Sequence, residues 1–559
     1  MLFDRYINSV LLISILFGMN GCSSSGVEDT QDRDIDLNSK ILYNKAAYIP
    51  SMCYTKTVDE NGVVHNPCYS CHTKSKAPNF INDGDLQLSY SFASYATKNH
   101  WSNLFIDRSK DVDKISDDEI EKYVRVSNYF DSKNNIILAK KLSNLPKEWD
   151  LVGNKYWYGY IPDCYFNFDK DGFDKNPKTS QYTGWRAFLY TPFLGTFWPT
   201  NGSIDDVMIR LSKDFQQDVN GEFDIDIYRV NLAIVELLIK RKDVEIKPID
   251  ESRINFDINH DGVLSIVDKI EYKKDNLHYV GKAGILEEEG KIDVFEGLFP
   301  LGTEFLHTVR YVDVDDSAKV KLAPRMKEVR YSKKLYTMTP EDLKKQAEME
   351  ADDKMYYPNQ LEQFDGNFQS GISNRQGWYY QGFIEDAKGD LRPQSYEETL
   401  YCIGCHRGLG ATTDGIFAFP RKISGRDVPQ YGWIYAPNLA DTFKIKEPKR
   451  EDGKYEYSFY LQNNQAGDEF RGNEEVLDKF FNPDSSLKED MIDKLHSDIN
   501  ILIMPSKSNA LKHNKAYRVI VKEQSFIYGR DATIKPAKNV HREVEQNIFT
   551  GVSEMIKAQ

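Results

Sequence analysis

The chain has 559 residues and a formal net charge of −14. This length accommodates roughly two to four domains, and 40% hydrophobic residues with 13% aromatic residues are enough to build real cores. The acidic balance excludes nucleic acid as an expected partner, and the mean hydropathy of −0.58 excludes an integral membrane protein.

Residues 1–22 have the pattern of a bacterial lipoprotein signal peptide. A polar stretch, 1–5, precedes a mostly apolar run, 7–17, which is too short to span a bilayer. Cys22 follows, and it resembles the lipobox cysteine that receives lipid and becomes the mature N-terminus. We expect a lipid anchor at Cys22 in the cell envelope, with plain signal cleavage as the alternative. The following Ser23 is not aspartate, which by resemblance to enterobacterial sorting favours the outer membrane.

Residues 23–38 are rich in Ser, Asp and Gly, and we expect a flexible tether there. The next segment, 39–149, contains Cys68-Tyr69-Ser70-Cys71-His72, a C-x-x-C-H motif. Two thiols on one short turn can add to the vinyl groups of a haem, and the adjacent histidine can then bind the iron as its proximal ligand. The motif therefore predicts covalent haem c at Cys68, Cys71 and His72. The alternative is a zinc or dithiol C-x-x-C that precedes a histidine.

Cys53 and Cys164 remain when the cysteines of the signal and of the haem motifs are set aside. An even remainder in an oxidising compartment favours a disulfide between them. Two free buried thiols are the alternative.

Helical patterns recur along the chain and are separated by an aromatic region, 150–215, that is typical of short strands and tight loops. Capping residues at Ser116 and Thr339 predict helices to Tyr129 and to about Asp352. An apolar stripe predicts a core helix within 225–240. We expect further helices at 134–142, 472–497 and 540–557.

A twelve-residue stretch in the central segment, 150–365, fits a calcium loop. Oxygen-bearing side chains stand at positions 1, 3, 5, 9 and 12, glycine stands at position 6, and position 7 offers a carbonyl. The pattern predicts a structural Ca²⁺ site, and it resembles EF-hand and dockerin loops. The expected ligands are Asp257, Asn259, Asp261, Val263, Ser265 and Asp268. An Asp/Asn-rich surface turn that binds nothing is the alternative.

The last segment, 366–559, contains a second C-x-x-C-H motif, Cys402-Ile403-Gly404-Cys405-His406. It predicts a second haem c on Cys402 and Cys405, with His406 as the proximal iron ligand. The sixth iron position separates an electron carrier from a catalyst. His307, in an apolar stretch, is the first candidate for that position and His100 is the second; a satisfied core histidine is the alternative for His307.

With these motifs, the chain resembles a di-haem c-type cytochrome, and in particular a group of large bacterial lipoproteins in which haem motifs near both ends bracket a calcium loop. We expect a mainly α fold with an irregular, partly β central region and cytochrome c-like haem segments near both ends. The motifs and the loop predict two haem c groups and Ca²⁺, and we expect redox partner proteins of a respiratory chain. The expected function is electron transfer in the periplasm or at the cell surface. A di-haem redox enzyme of peroxidase or oxidase type, with one open iron position, is the alternative.

Overall fold

The computed structural model describes residues 35–80, 84–273, 277–437, 444–465 and 473–557. The predicted signal peptide, the lipidation site Cys22 and most of the tether lie outside these residues. Among the helices of the described ranges, none combines the length and the apolar character that crossing a membrane requires.

Most helices are short, and of the three longest, Ile225–Lys240 is almost wholly buried, Lys507–Glu523 has one buried face and Pro340–Tyr356 buries only Leu343. Their bounds are α1 Cys68–Cys71, α2 Asp85–Leu88, α3 Ser109–Val112, α4 Asp117–Val124, α5 Ile137–Ser143, α6 Ile225–Lys240, α7 Glu251–Ile254, α8 Lys282–Glu288, α9 Pro340–Tyr356, α10 Tyr396–Cys405, α11 Ala418–Arg421, α12 Glu456–Asn464, α13 Glu474–Phe480, α14 Glu489–Ser497, α15 Asn500–Ile503 and α16 Lys507–Glu523. Single turns of 3₁₀ helix lie at Ser51–Tyr54, Ser94–Thr97, Ser102–Phe105, Lys147–Trp149, Pro199–Asn201, Lys213–Gln216, Pro429–Gly432 and Phe526–Tyr528.

A nine-stranded antiparallel sheet lies at the centre of the fold. The strands of the described residues are β1 Thr57–Val58, β2 Val64–His65, β3 Phe173–Lys175, β4 Tyr182–Ala187, β5 Ile204–Arg210, β6 Val244–Asp250, β7 Ile266–Ile270, β8 Glu304–Val314, β9 Val320–Lys334, β10 Gly366–Asn367, β11 Gly371–Ser373, β12 Trp378–Glu385 and β13 Leu391–Pro393. The sheet order is β10-β11-β12-β9-β8-β5-β4-β3, and β13 also pairs with β12. β1 with β2 and β6 with β7 form two separate two-stranded sheets.

Both faces of the large sheet are buried. Ile209, Phe305 and Trp378 belong to a core that also takes in helix α6. Met208 and Leu306, their neighbours in sequence, face a second core on the opposite side. Alternate side chains of a strand point to opposite faces, so one set of strands supplies both cores.

The prediction of a mainly α protein with cytochrome c-like segments near both ends is therefore wrong. The sheet was not expected because β9 reads as a polar, charged segment. In the structure Lys327, Glu328 and Lys334 are each at most 2% exposed. Charged side chains can be buried in this way when each finds a charged or hydrogen-bonding partner.

Several predicted helices are confirmed because their capping signals operate locally. Ser116 accepts a hydrogen bond from the Glu119 amide at the start of α4. Thr339 and Asp342 form a capping box at the start of α9. Helix α6 spans Ile225–Lys240 with an almost wholly buried surface. Residues 134–142 and 472–497 also contain helices, α5 in the first and α13 and α14 in the second.

The predicted helix at 540–557 is wrong, because this stretch is an extended strap across the first motif segment. Backbone bridges pair Thr55 with Val540 and Ser89 with Phe549. Near the end of the strap, Gln87 donates to the Ile556 carbonyl at 3.0 Å and accepts from the Ile556 amide at 2.5 Å. These contacts with another segment satisfy backbone groups that a helix would otherwise pair internally.

His513 on α16 predicts a loss of stability in acid. Burial and, to a lesser degree, the nearby Lys327 lower the pKa of His513 to about 4. An unfolded histidine titrates near pH 6.5, so the unfolded chain binds this proton first as the pH falls. The contribution of His513 is present above pH 6.5 and is lost toward pH 4, by about 3 kcal/mol.

We expect urea unfolding at pH 7 and at pH 4.5 to show a smaller loss of unfolding free energy in His513→Gln than in wild type. His278→Gln is the control, since that side chain is 56% exposed. Equal losses in wild type and His513→Gln would contradict this assignment.

Candidate functional site

A cavity of about 210 Å³ is lined by residues of both C-x-x-C-H motifs. The motif residues in its wall are Cys68, Cys71, His72, Cys402, Cys405 and His406. Cys68 and Cys402 are 334 residues apart in the sequence. The structure thus brings together the two sets of residues that the sequence analysis singled out, which no spacing rule predicted.

The two motifs have the same local backbone geometry. In each, one helical turn carries both cysteines and ends at the histidine: His72 donates its amide to the Cys68 carbonyl at 2.9 Å, and His406 donates to Cys402 at 3.0 Å. Helix α10, which carries the second motif, begins with a capping box of Ser395 and Glu398. Each motif therefore presents two sulfurs and one imidazole from a rigid turn.

The segments that carry the two motifs contact each other directly. The Ala411 amide donates to the Cys71 carbonyl at 3.1 Å. A Cβ atom on Gly410 would stand 1.8 Å from the Thr73 carbonyl oxygen, and one on Gly404 would stand 1.9 Å from the Tyr48 carbonyl oxygen. Neither position has room for a side chain, so glycine is what permits this close approach.

One face of the large sheet forms the opposite wall of the cavity. The pairing register aligns Val207 on β5 with His307 on β8, and His307 with Arg330 on β9. The next row on this face contains Asp205 and Glu328, one on each side of Val309. Four of these residues carry polar or charged side chains, so the sheet supplies acid, base and cationic groups to a cavity that is otherwise mostly apolar.

The imidazole of His406 has a defined tautomer. Its Nδ1 lies 3.0 Å from the Gly415 carbonyl oxygen, and because a carbonyl only accepts, Nδ1 must donate. Burial lowers the pKa of His406 to about 4, although the Gly415 carbonyl raises it. The ring is therefore neutral at pH 7, with its lone pair on Nε2. Tyr380 and Phe417 hold the ring, at centroid distances of 5.0 and 5.5 Å.

The predicted distal candidates occupy different places. His307 lines the cavity, but its Nε2 lies 3.0 Å from a carboxylate oxygen of Asp205. His100 is not among the residues of the cavity wall. It stacks on Tyr95 at a centroid distance of 4.1 Å, and its Nε2 is 3.1 Å from the Tyr95 carbonyl oxygen. Of the two distal candidates, His307 therefore lies in the cavity wall beside a carboxylate, and His100 lies outside that wall.

A buried row of charges lies next to the second motif. Glu328 is 2.9 Å from Arg330 and 3.1 Å from Arg530. Burial would raise the pKa of Glu328, but the two guanidinium groups outweigh it and lower that pKa to about 2. Burial raises the pKa of the Cys402 thiol, an effect that Arg330 and Arg530 oppose. Sequence reasoning missed Asp205, Glu328, Arg330 and Arg530. The spacing of Glu328 and Arg330 along β9 was a signal for those two residues, and Asp205 and Arg530 lie on other segments.

The predicted calcium loop is an Asx-type turn in which carboxylate oxygens accept hydrogen bonds from backbone amides of the same loop. Asp257 accepts from the Gly262 amide at 2.8 Å, and Asp261 accepts from the Val263 amide at 2.8 Å. Asp268 is 3.0 Å from the Arg426 guanidinium. The loop leads into strand β7 and not into the helix of a helix-loop-helix unit.

Over the described ranges, no group of three or more His, Cys, Asp or Glu residues is placed to hold a metal ion. The prediction of Ca²⁺ at Asp257, Asn259, Asp261, Val263, Ser265 and Asp268 is therefore corrected to the alternative, a surface turn.

The predicted disulfide between Cys53 and Cys164 does not form in the part of the chain that the structure describes. Cys164 is fully buried in the core on one side of the sheet, whereas Cys53 lies in the wall of the cavity on the other side. The sheet separates the two sulfurs.

Comparisons with known proteins identify a family. A family model described as a "-like lipoprotein" matches residues 37–497. A protein of Aquifex aeolicus (strain VF5), described as an uncharacterized lipoprotein, is 32% identical over 598 aligned positions, which cover 97% of this chain and 95% of that protein. No solved structure matches. The family found is one of lipoproteins and not of di-haem cytochromes, so the predicted resemblance, and with it the two haem c groups, is corrected.

Proposed function

The chain belongs to this lipoprotein family and is thus a lipid-anchored protein of the cell envelope, where we propose that it transfers electrons through the two C-x-x-C-H motifs. The proposed location is the outer membrane, on the side facing the periplasm or the surface. Its proposed partners are redox proteins of a respiratory chain, for which the acidic surface favours basic docking sites.

The observation that supports this proposal is the convergence of both motifs on one cavity. Sulfur is the side-chain atom that exchanges electrons most readily, and its redox behaviour depends on access and local charge. If the two motifs were only structural turns, nothing would require both of them to line one cavity. The backbone hydrogen bond from the Ala411 amide to the Cys71 carbonyl holds the two motif segments at a fixed separation.

A second candidate function is a redox enzyme that discharges electrons into a small substrate. It is favoured by the acid and base in the same cavity, Asp205 and His307, which lie 3.0 Å apart. An apolar cavity with a few convergent polar groups is the usual form of a small-molecule site. A pure carrier would not need an acid–base pair beside its redox groups.

The test is an anaerobic reductive titration of the exported full-length protein. We expect Cys402→Ser/Cys405→Ser and Cys68→Ser/Cys71→Ser each to lose about half of the electrons that wild type takes up. The variant with all four substitutions should lose them all. Cys164→Ser is the matched control, since this cysteine lies in a core away from the cavity. Unchanged electron uptake in the fourfold variant would refute the proposal.

Two further measurements refine the result. The masses of the motif peptides from oxidised and reduced protein show which of the four cysteines change between thiol and disulfide. Mixing reduced protein with a basic redox protein or with hydrogen peroxide separates the two functions. A carrier reduces the protein acceptor alone, whereas an enzyme also turns over the small oxidant.

A further inference from the structure

We propose that the loop 151–161 lies against the phospholipid surface into which the lipid anchor inserts, and that the lysines beside the loop face anionic headgroups. The protein then contacts the membrane at two points, the anchor and this loop. The second contact sets which face of the protein is turned toward the lipid, and it does not depend on electron transfer.

Five apolar side chains of the loop are exposed. Tyr156 and Tyr158 are 61% and 56% exposed, and their rings contact each other at a centroid distance of 4.8 Å. Leu151, Val152 and Ile161 are exposed as well. Single exposed apolar side chains are common on protein surfaces, whereas a group of them within one short loop marks a surface that contacts a partner or a membrane.

The loop is held in one conformation by its own hydrogen bonds. The Asp150 carboxylate accepts from the amides of Gly153 and Lys155, both at 2.8 Å. Trp157 is buried, and its indole N–H donates to the Tyr160 carbonyl at 3.0 Å. The exposed tyrosines on either side of Trp157 are therefore presented outward from a fixed backbone, so a contact costs little ordering of the loop.

The charges beside the loop are mostly positive, although the whole chain carries a net charge of −14. The exposed charged side chains between residues 133 and 155 are Lys133, Lys140, Lys147, Glu148 and Lys155. Anionic phospholipid attracts lysines, and tyrosine side chains favour the depth of the headgroups. An anionic surface repels the acidic remainder of the protein, so this face is the favoured one. The same lysines disfavour a basic protein as the occupant of the loop.

The start of the described chain packs on the same core as the loop. Ile35 packs against this core, and Leu37 is buried in it together with Trp149 and Trp157. The lipid anchor is expected at Cys22, 13 residues before Ile35. A fully extended chain of that length reaches at most roughly 45 Å. The anchor therefore keeps the loop close to the bilayer, which raises the effective concentration of the lipid surface around it.

A second pair of exposed tyrosines offers a matched control. Tyr356 and Tyr357, at the end of α9, are 66% and 62% exposed. The exposed charged side chains of α9 are five acids and three lysines, namely Glu341, Asp342, Lys344, Lys345, Glu348, Asp352, Asp353 and Lys354. The two pairs thus match in side chain and exposure and differ in the sign of the charge around them.

The experiment places the exported, lipidated protein in vesicles of phosphatidylethanolamine and phosphatidylglycerol, with and without bromine on the acyl chains. Bromine quenches indole emission on contact, so it reports which face touches lipid. We expect the emission added by Tyr156→Trp to fall by about half in brominated vesicles, and the emission added by Tyr356→Trp to stay nearly unchanged. Adding Lys147→Gln and Lys155→Gln to Tyr156→Trp should weaken the quenching, because the attraction to the anionic headgroups is reduced.

Equal quenching of the added tryptophans at positions 156 and 356, or no quenching at 156, overturns the inference. An emission shift at 156 that is the same with and without bromine would place the loop against another protein molecule and also overturn it. Thermal unfolding checks that the variants stay folded, and because the altered side chains are exposed we expect no change in stability. None of these outcomes depends on whether the motif cysteines exchange electrons.

Discussion

Gly410→Ala is expected to separate the two motif segments and to destabilise the protein by on the order of 3 kcal/mol. The new methyl carbon would stand 1.8 Å from the Thr73 carbonyl oxygen, whereas real contacts of this kind start near 3.0 Å. One segment must therefore move by about 1 Å, and this displacement would break the hydrogen bond from the Ala411 amide to the Cys71 carbonyl. Thermal unfolding and the reductive titration would measure the losses of stability and of electron uptake.

The control for this substitution is Gly453→Ala. Gly453 has a φ of +81°, and no heavy atom lies within 4 Å of the position that an alanine methyl would take, so alanine meets backbone strain but no clash. Strain of this kind costs about 1 kcal/mol. If Gly410→Ala destabilises the protein no more than Gly453→Ala, then the close approach of the motif segments is not as the structure shows it.

The helices could be predicted where a local signal was sufficient. Ser116 and Thr339 cap the helices that follow them, and the stripe in 225–240 produces a buried helix of those bounds. Caps and stripes act within a few residues, so they can be read without knowledge of the rest of the chain.

The large sheet could not be predicted in the same way. Its central strands, β8 and β9, are buried on both faces, and their charged residues find partners far away in sequence. Arg325, for example, pairs with Glu385 at 3.0 Å. An alternation of charged and apolar residues usually indicates a strand with one face in water, and the sequence offers no sign that these charges are compensated.

The candidate site shows the same division. The motifs identified Cys68 and Cys402 as chemically important from spacing alone. That they share a cavity follows from the sheet register and from the contact between residues 71 and 411, which are tertiary facts. At 257–268 the sequence pattern was misleading. The Asp and Asn pattern of a calcium loop also forms a turn whose carboxylate oxygens accept hydrogen bonds from backbone amides of the same loop.

Asp414→Asn is expected to destabilise the protein by about 3–5 kcal/mol, because it leaves a buried ammonium group without its counter-ion. The side chains of Lys334 and Asp414 are 0% and 1% exposed, and the pair joins strand β9 to the loop after the second motif. Asp414 also accepts from the Phe299 amide at 3.0 Å. Asparagine suits this position, since residue 414 has a φ of +54° that asparagine tolerates well.

Two comparisons make this prediction sharp. Asp490→Asn removes an exposed partner of Lys494, at 3.0 Å, and should change the unfolding free energy far less than Asp414→Asn does. Adding Lys334→Met to Asp414→Asn removes the orphaned charge and should restore much of the lost stability. Urea unfolding measures all of these variants. A single variant as stable as wild type, or a double variant less stable than the single one, would show that the buried pair does not hold the second motif loop against the sheet.

The same loop supplies the Gly415 carbonyl that fixes the tautomer of His406, so Asp414→Asn should also weaken the electron uptake assigned to the second motif.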